Sequence, residues 1–142
     1  MSEKLIRLAV YGTLMKGEHN EHWGADAKKR VPCTIRGVLY DTGWGYPAFV
    51  PDDGGRDVAA ELLDVTPETL ARIDVLEGYP RLYVRETVAA TLADGSVVQA
   101  TVYVMRKLPV ETKVVEGGDW RSFANAPSAM RWPCAQKRQQ PS

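Results

Sequence analysis

Six short apolar segments, 5–11, 34–40, 46–50, 58–65, 83–92 and 97–105, read as β-strands, and most of the connections between them are brief. A parallel neighbour needs a crossover of about a dozen residues or more, so most of these strands must pair antiparallel. The first segment, Leu5-Ile6-Arg7-Leu8-Ala9-Val10-Tyr11, stops at Gly12, as a strand entering a tight turn does. Segment 34–40 alternates and runs into the turn-rich Asp41-Thr42-Gly43-Trp44-Gly45, and 46–50 is closed by Pro51 and the loop Asp52-Asp53-Gly54-Gly55. Segments 83–92 and 97–105 are rich in β-branched residues and flank Ala93-Asp94-Gly95-Ser96, a hairpin pattern. One helix is well delimited, over 67–77: Thr66 is its N-cap, Pro67 its first residue, Glu68 sits in the first turn, and Gly78 followed by Pro80 stops it. Residues 15–30 are polar and glycine-punctuated, with at most a short helical turn, and Lys28-Lys29-Arg30 within them reads as a solvated loop. Glu116-Gly117-Gly118-Asp119-Trp120 reads as a loop that opens a short helical turn. The expected class is α+β, a mixed or antiparallel sheet with one or two helices.

A chain of 142 residues suits one domain, and 18 Lys+Arg against 18 Asp+Glu give it no overall pull toward nucleic acid or an anionic membrane. Apolar periodicity fades near Asn125, which divides the chain into a domain, 1–125, and a mildly basic tail, 126–142. The tail's cations are Arg131, Lys137 and Arg138, too few for a nucleic-acid arm, and Trp132 is its candidate anchor. No apolar run approaches the roughly 20 residues of a membrane span, and the N-terminus, broken by Lys4 and Arg7, has no secretory core. Cys33 and Cys134 are too few for a disulfide scaffold. The expected setting is the reducing cytoplasm, with both thiols free.

On a helix over 67–77, Leu70, Ile73 and Glu77 share one face, so the stripe that docks the helix ends in a carboxylate. Burial, the negative end of the helix and the like charge of Asp74 one turn back would all raise the Glu77 pKa toward neutrality, where a carboxyl can both take and give a proton. The alternative is a solvated final-turn glutamate. Tyr11-Gly12-Thr13-Leu14 leaves the first strand, and successive N–H groups in such a turn can form an anion-binding nest; the alternative is an ordinary strand-ending turn. His19 and His22 lack the His-Glu-x-x-His order of a zinc helix, so no metal site is expected. Gly117-Gly118 lacks dinucleotide-loop spacing, and Ser96, Ser122, Ser128 and Cys33 sit in no nucleophile arrangement. No cofactor is expected.

Four blocks in order resemble the gamma-glutamylcyclotransferase-like, or AIG2-like, family. They are Val10-Tyr11-Gly12-Thr13-Leu14 continuing through Lys16-Gly17-Glu18-His19-Asn20; Gly37-Val38-Leu39-Tyr40-Asp41 with Tyr46-Pro47-Ala48; Ile73-Asp74-Val75-Leu76-Glu77-Gly78 with Tyr83-Val84-Arg85; and Gly118-Asp119-Trp120-Arg121. The YGTL form looks most like the gamma-glutamylamine cyclotransferase branch and the related enzyme of aminoglycoside biosynthesis. The resemblance implies a small mixed-sheet β-barrel with flanking helices. It also implies an enzyme that releases an amine from a small gamma-glutamyl amide and cyclises the glutamyl part to 5-oxoproline. The substrate's own α-amine would be the nucleophile, so no metal or cofactor is implied. The family's acid maps onto Glu77 and its substrate loop onto Tyr11, Gly12, Thr13 and Leu14, with Tyr46 and Tyr83 lining the pocket. The alternative is a non-catalytic small-molecule-binding or interaction module on the same fold. The tail has no counterpart in the resemblance, and nothing in the sequence fixes the oligomeric state or the leaving amine.

Overall fold

The structure, a computed structural model, describes residues 4–18, 20–105, 107–109 and 112–124. Seven strands and two α-helices follow one another: β1 (Ile6–Val10), β2 (Lys29–Asp41), β3 (Pro47–Pro51), β4 (Arg56–Val65), α1 (Pro67–Glu77), β5 (Tyr83–Leu92), β6 (Val97–Met105), β7 (Lys113–Val114) and α2 (Trp120–Ala124). A 3-10 turn, Glu21–Gly24, precedes β2.

The sheet runs in the order β3-β2-β4-β1-β6-β5, and β2 also pairs with β5. That last pairing closes β2, β4, β1, β6 and β5 into a five-stranded barrel. The pairings are antiparallel except that of β1 with β6, so the barrel is mixed. The closure depends on the length of β2. Its residues Cys33, Thr34 and Ile35 bond β4 on one side and β5 on the other, while its last five residues, Gly37 to Asp41, turn out to carry β3.

Side chains alternate between two apolar clusters, as strand geometry requires. Ala9 and Tyr11, with Ile35, Val58, Ala60, Val102 and Val104, fill the barrel together with Phe49 and Trp120. Leu8 and Val10, with Leu63, Val65, Tyr103 and Met105, face outward and receive Leu70 and Ile73 of α1. Because β1 is buried on both faces, it reads as an unbroken apolar run rather than an alternating one. The hydroxyl oxygen of Thr66 accepts from the Thr69 N–H at 3.1 Å and caps α1, and Gly78 ends it with φ 68°.

The expected class and barrel agree with this architecture, and two boundaries differ from expectation. β2 begins at Lys29, five residues before the alternation starts, because 29–33 pair with β4 from Lys29↔Asp64 to Cys33↔Ala60. Within the expected solvated loop, Arg30 is partly buried and ion-paired to Glu61 at 2.6 Å. β7 has only two residues and is held by Tyr40 and Asp41 of β2, a partner too remote for local pattern to reveal. Among the described residues no helix is long and apolar enough to cross a membrane. Cys33 is a buried free thiol. His19, the proposed tail 126–142 and with it Trp132 and Cys134 lie outside the described residues.

Candidate active site

Glu77 is the last residue of α1, placed there by the docking of Leu70 and Ile73 and by the turn that follows. The Gly78 N–H donates to the Val75 carbonyl at 3.2 Å and the Tyr79 N–H to the Asp74 carbonyl at 2.9 Å, so the final helical turn is held rather than frayed. Glu77 is partly exposed, as a group that meets a ligand must be. Its carboxyl accepts no hydrogen bond and makes no ion pair with any described residue. Burial pushes it up to about 7. Asp74, expected to add its like charge, does not do so. Its Oδ1 accepts from the Tyr103 hydroxyl at 2.6 Å and lies 3.6 Å from Arg85 Nε, so its charge is matched there.

The turn after β1 lies across a small pocket from this carboxyl. Tyr11, Gly12, Thr13 and Leu14 line the pocket with Tyr46, Pro47, Glu77, Tyr83 and Tyr103, leaving a cavity of about 30 Å³. Thr13, Tyr46, Glu77 and Tyr83 also border an outer chamber of about 290 Å³. All seven residues picked out from the sequence thus meet at one place. Gly12 is needed because a Cβ there would come within 2.6 Å of Pro47 Cγ. The turn's carbonyls are occupied: Gly12 accepts from the Met15 N–H at 3.0 Å and Thr13 from the Asn20 N–H at 2.9 Å. Asn20 Nδ2 also donates to Thr13 Oγ1 at 3.0 Å. The N–H groups of Gly12, Thr13 and Leu14 have no protein acceptor among the described residues, although Gly12 and Leu14 are buried. Buried donors left this way are uncommon unless a ligand or water takes them.

The tyrosines divide by what their hydroxyls do. Tyr11 packs on Phe49 and donates to the Tyr103 carbonyl at 2.7 Å; burial, followed by Tyr83 and Glu77, raises its phenol. Tyr83 donates to the Pro47 carbonyl at 2.6 Å and thereby ties β5 to β3. Both can accept from a ligand but have already spent their proton. Tyr46 has no hydroxyl partner among the described residues, and burial and the nearby Glu77 raise its phenol.

One buried group escaped the sequence reading. Glu61, 6% exposed on β4, accepts at Oε1 from Arg30 Nη1 (2.6 Å) and the Lys16 N–H (2.8 Å), and at Oε2 from Arg121 Nη1 (3.1 Å). Arg30 and Arg121 also donate to the Leu14 and Lys16 carbonyls, at 3.1 and 3.3 Å. This acid therefore fixes the exit of the pocket turn against β2 and α2. The available signal was a charge inside the apolar run Val58-Ala59-Ala60-Glu61-Leu62-Leu63.

No group of three or more His, Cys, Asp or Glu side chains able to hold a metal gathers among the described residues. The pocket instead joins a near-neutral carboxyl to a row of unbonded N–H groups, which equips it to move a proton beside a bound anion or carbonyl.

Residues 8–122 match the family described as gamma-glutamyl cyclotransferase, AIG2-like. The gamma-glutamylcyclotransferase family protein YtfP of Escherichia coli strain K12 is 32% identical over 116 residues, covering 81% of this chain and 96% of that protein. The gamma-L-glutamyl-butirosin B gamma-glutamyl cyclotransferase of Niallia circulans is 44% identical over 73 residues, 51% of this chain and 46% of that one. In fold, the chain resembles the crystal structure of a mouse AIG2-like protein with a TM-score of 0.68 at 22% identity, over 76% of this chain and 82% of the other. With the match running from β1 to α2, the chain belongs to the gamma-glutamyl cyclotransferase, AIG2-like family.

Proposed function

We propose that this protein cleaves a small gamma-glutamyl amide to 5-oxoproline and a free amine, with Glu77 as general base and then general acid. The observation that carries this reading is the unpartnered Glu77 carboxyl, raised to about 7, in one pocket with the unbonded N–H groups of 12–14. A carboxyl largely withdrawn from water and without a protein partner is costly to stability, and such groups concentrate where they act on a ligand.

The chemistry follows from the substrate. Its α-amine is an ammonium near neutral pH and cannot attack until it loses a proton. Ionised Glu77 takes that proton. The nitrogen then bonds the γ-carbonyl carbon, closing a five-membered ring, and the carbon–nitrogen bond to the leaving amine breaks as Glu77 returns the proton to the departing nitrogen; the ring nitrogen sheds its second proton as the lactam forms, and that proton ends on the released amine. Over the whole cycle the positive charge of the ammonium passes to the released amine. The nucleophile belongs to the substrate, so the reaction calls for no serine, cysteine, metal or nucleotide. The N–H groups of Gly12, Thr13 and Leu14 hold the glutamyl end, and the folded posture they impose is an orientation effect. Tyr46, with its proton uncommitted, is the side chain suited to donate to the bound carbonyl. The Niallia circulans relative is named for gamma-L-glutamyl-butirosin B rather than for a gamma-glutamyl peptide, which supports a leaving group other than a peptide.

The test is release of 5-oxoproline from a set of gamma-glutamyl amines and dipeptides without added metal or nucleotide. The base must be ionised, so kcat/KM should fall as pH drops through about 7. Stable binding of these compounds with no 5-oxoproline would support a non-catalytic module instead. Gly12→Ala should lower kcat/KM by about 10²-fold, because the new methyl must push the turn or Pro47 aside and misplace the glutamyl end. Steady-state kinetics at matched folded fraction check this.

A further inference from the structure

We propose that the outer chamber is the leaving-group subsite and that it selects amines with a flat, apolar body that bears no carboxylate. The inference rests on the reaction read above and adds which amine is released. The carbon attacked must lie at Glu77, which borders both cavities. The glutamyl end is drawn to the N–H groups of 12–14 on the inner side, so the other amide substituent extends outward, into the roomier space.

The lining of that space defines what fits. Trp44, Tyr46, Leu76 and Leu82 supply its apolar wall, with the Asn20 side chain at the edge nearest the turn. Trp44 is 60% exposed, and its ring stands 6.1 Å from that of Tyr46 at 57°. An indole left this open is a platform for a second flat group.

The loop that carries it is held in place. Asp41 and Thr42 are buried; Asp41 Oδ1 accepts from the Gly43 N–H at 2.9 Å, and Thr42 Oγ1 accepts from the Trp44 N–H at 3.2 Å while donating to the Tyr46 carbonyl at 2.7 Å. A loop fixed before binding loses little freedom when the ligand arrives. No Lys, Arg or His is among the described residues lining the chamber. A leaving amino acid would bring its carboxylate there unpaired and toward Glu77, where like charges repel.

The experiment compares kcat/KM for 5-oxoproline release from gamma-glutamyl-benzylamide, gamma-glutamyl-methylamide and gamma-glutamyl-glycine. The benzylamide should exceed the glycine compound by about tenfold or more. Trp44→Ala should cost the benzylamide about ten times more than the methylamide, mainly through KM, and Trp44→Phe should restore most of the loss. Equal efficiency across the panel, a preference for glycine, or a Trp44→Ala effect equal for both amides would overturn the subsite while leaving the cyclising reaction intact. If no member yields 5-oxoproline, the reaction itself is refuted and the subsite with it.

Discussion

Glu77→Gln is expected to slow 5-oxoproline release by about 10²–10⁴-fold, the range over which a positioned acid–base group contributes. The amide keeps the shape of the side chain and cannot take the ammonium proton, so the loss should fall on kcat with KM little altered. Stability gives a second readout that damage to the fold would not mimic. The Glu77 carboxyl lies at about 7 in the folded protein and near 4.5 when unexposed surroundings are lost, so the native state holds the proton more tightly. The parent therefore loses stability as pH rises from about 4.5 through about 7, by about 3 kcal/mol at most, and is level above that. Glutamine has no proton to lose. The variant's melting temperature should draw ahead of the parent's as pH rises across that window, while its activity stays low throughout. A variant as fast as the parent, or two melting curves with the same pH dependence, would remove Glu77 from its assigned role.

Glu61→Ala is expected to have the largest effect on stability, roughly 3 kcal/mol. That lies at the low end for breaking a buried ion pair because Arg121 reaches solvent while Glu61 does not. Removing the carboxylate strands Arg30 and the Lys16 N–H together, and leaves the Leu14 and Lys16 carbonyls bound to two arginines with no anchor of their own. Glu61→Gln keeps an acceptor for one or two of these donors and should lose about half as much. Urea unfolding of both variants measures the difference; an unchanged midpoint in Glu61→Ala would mean that the cluster adds nothing to the fold. Because the turn 11–14 leads directly into this cluster, KM should rise in Glu61→Ala as well.

Local chemistry made α1 and the β5–β6 hairpin legible in the sequence. Thr66, Pro67 and Gly78 act within a turn of where they stand, and Ala93-Asp94-Gly95-Ser96 needs nothing but its own flanks. The start of β2 and all of β7 were not legible, since Lys29 and Lys113 take their strand geometry from Asp64 and Asp41, far along the chain. The same distinction runs through the candidate site. Helical spacing places Glu77 at the end of the Leu70–Ile73 stripe, so its position could be read from α1 alone. Tyr46 and Tyr83 came from family likeness, since nothing local marks them. The matching of Asp74 could not be foreseen, because Tyr103 and Arg85 arrive from the two hairpin strands. Glu61 is the same case at longer range: its partners come from residues 16, 30 and 121.

The reach of Arg121 back to Glu61 and Lys16 has a consequence for the order of assembly. The turn after β1 takes its support from α2, far along the chain, and Trp120 beside Arg121 packs into the barrel core. A nascent chain can pair its strands early, yet it holds no finished cradle until α2 has emerged and docked. Competence thus waits on that long-range contact rather than on the barrel alone.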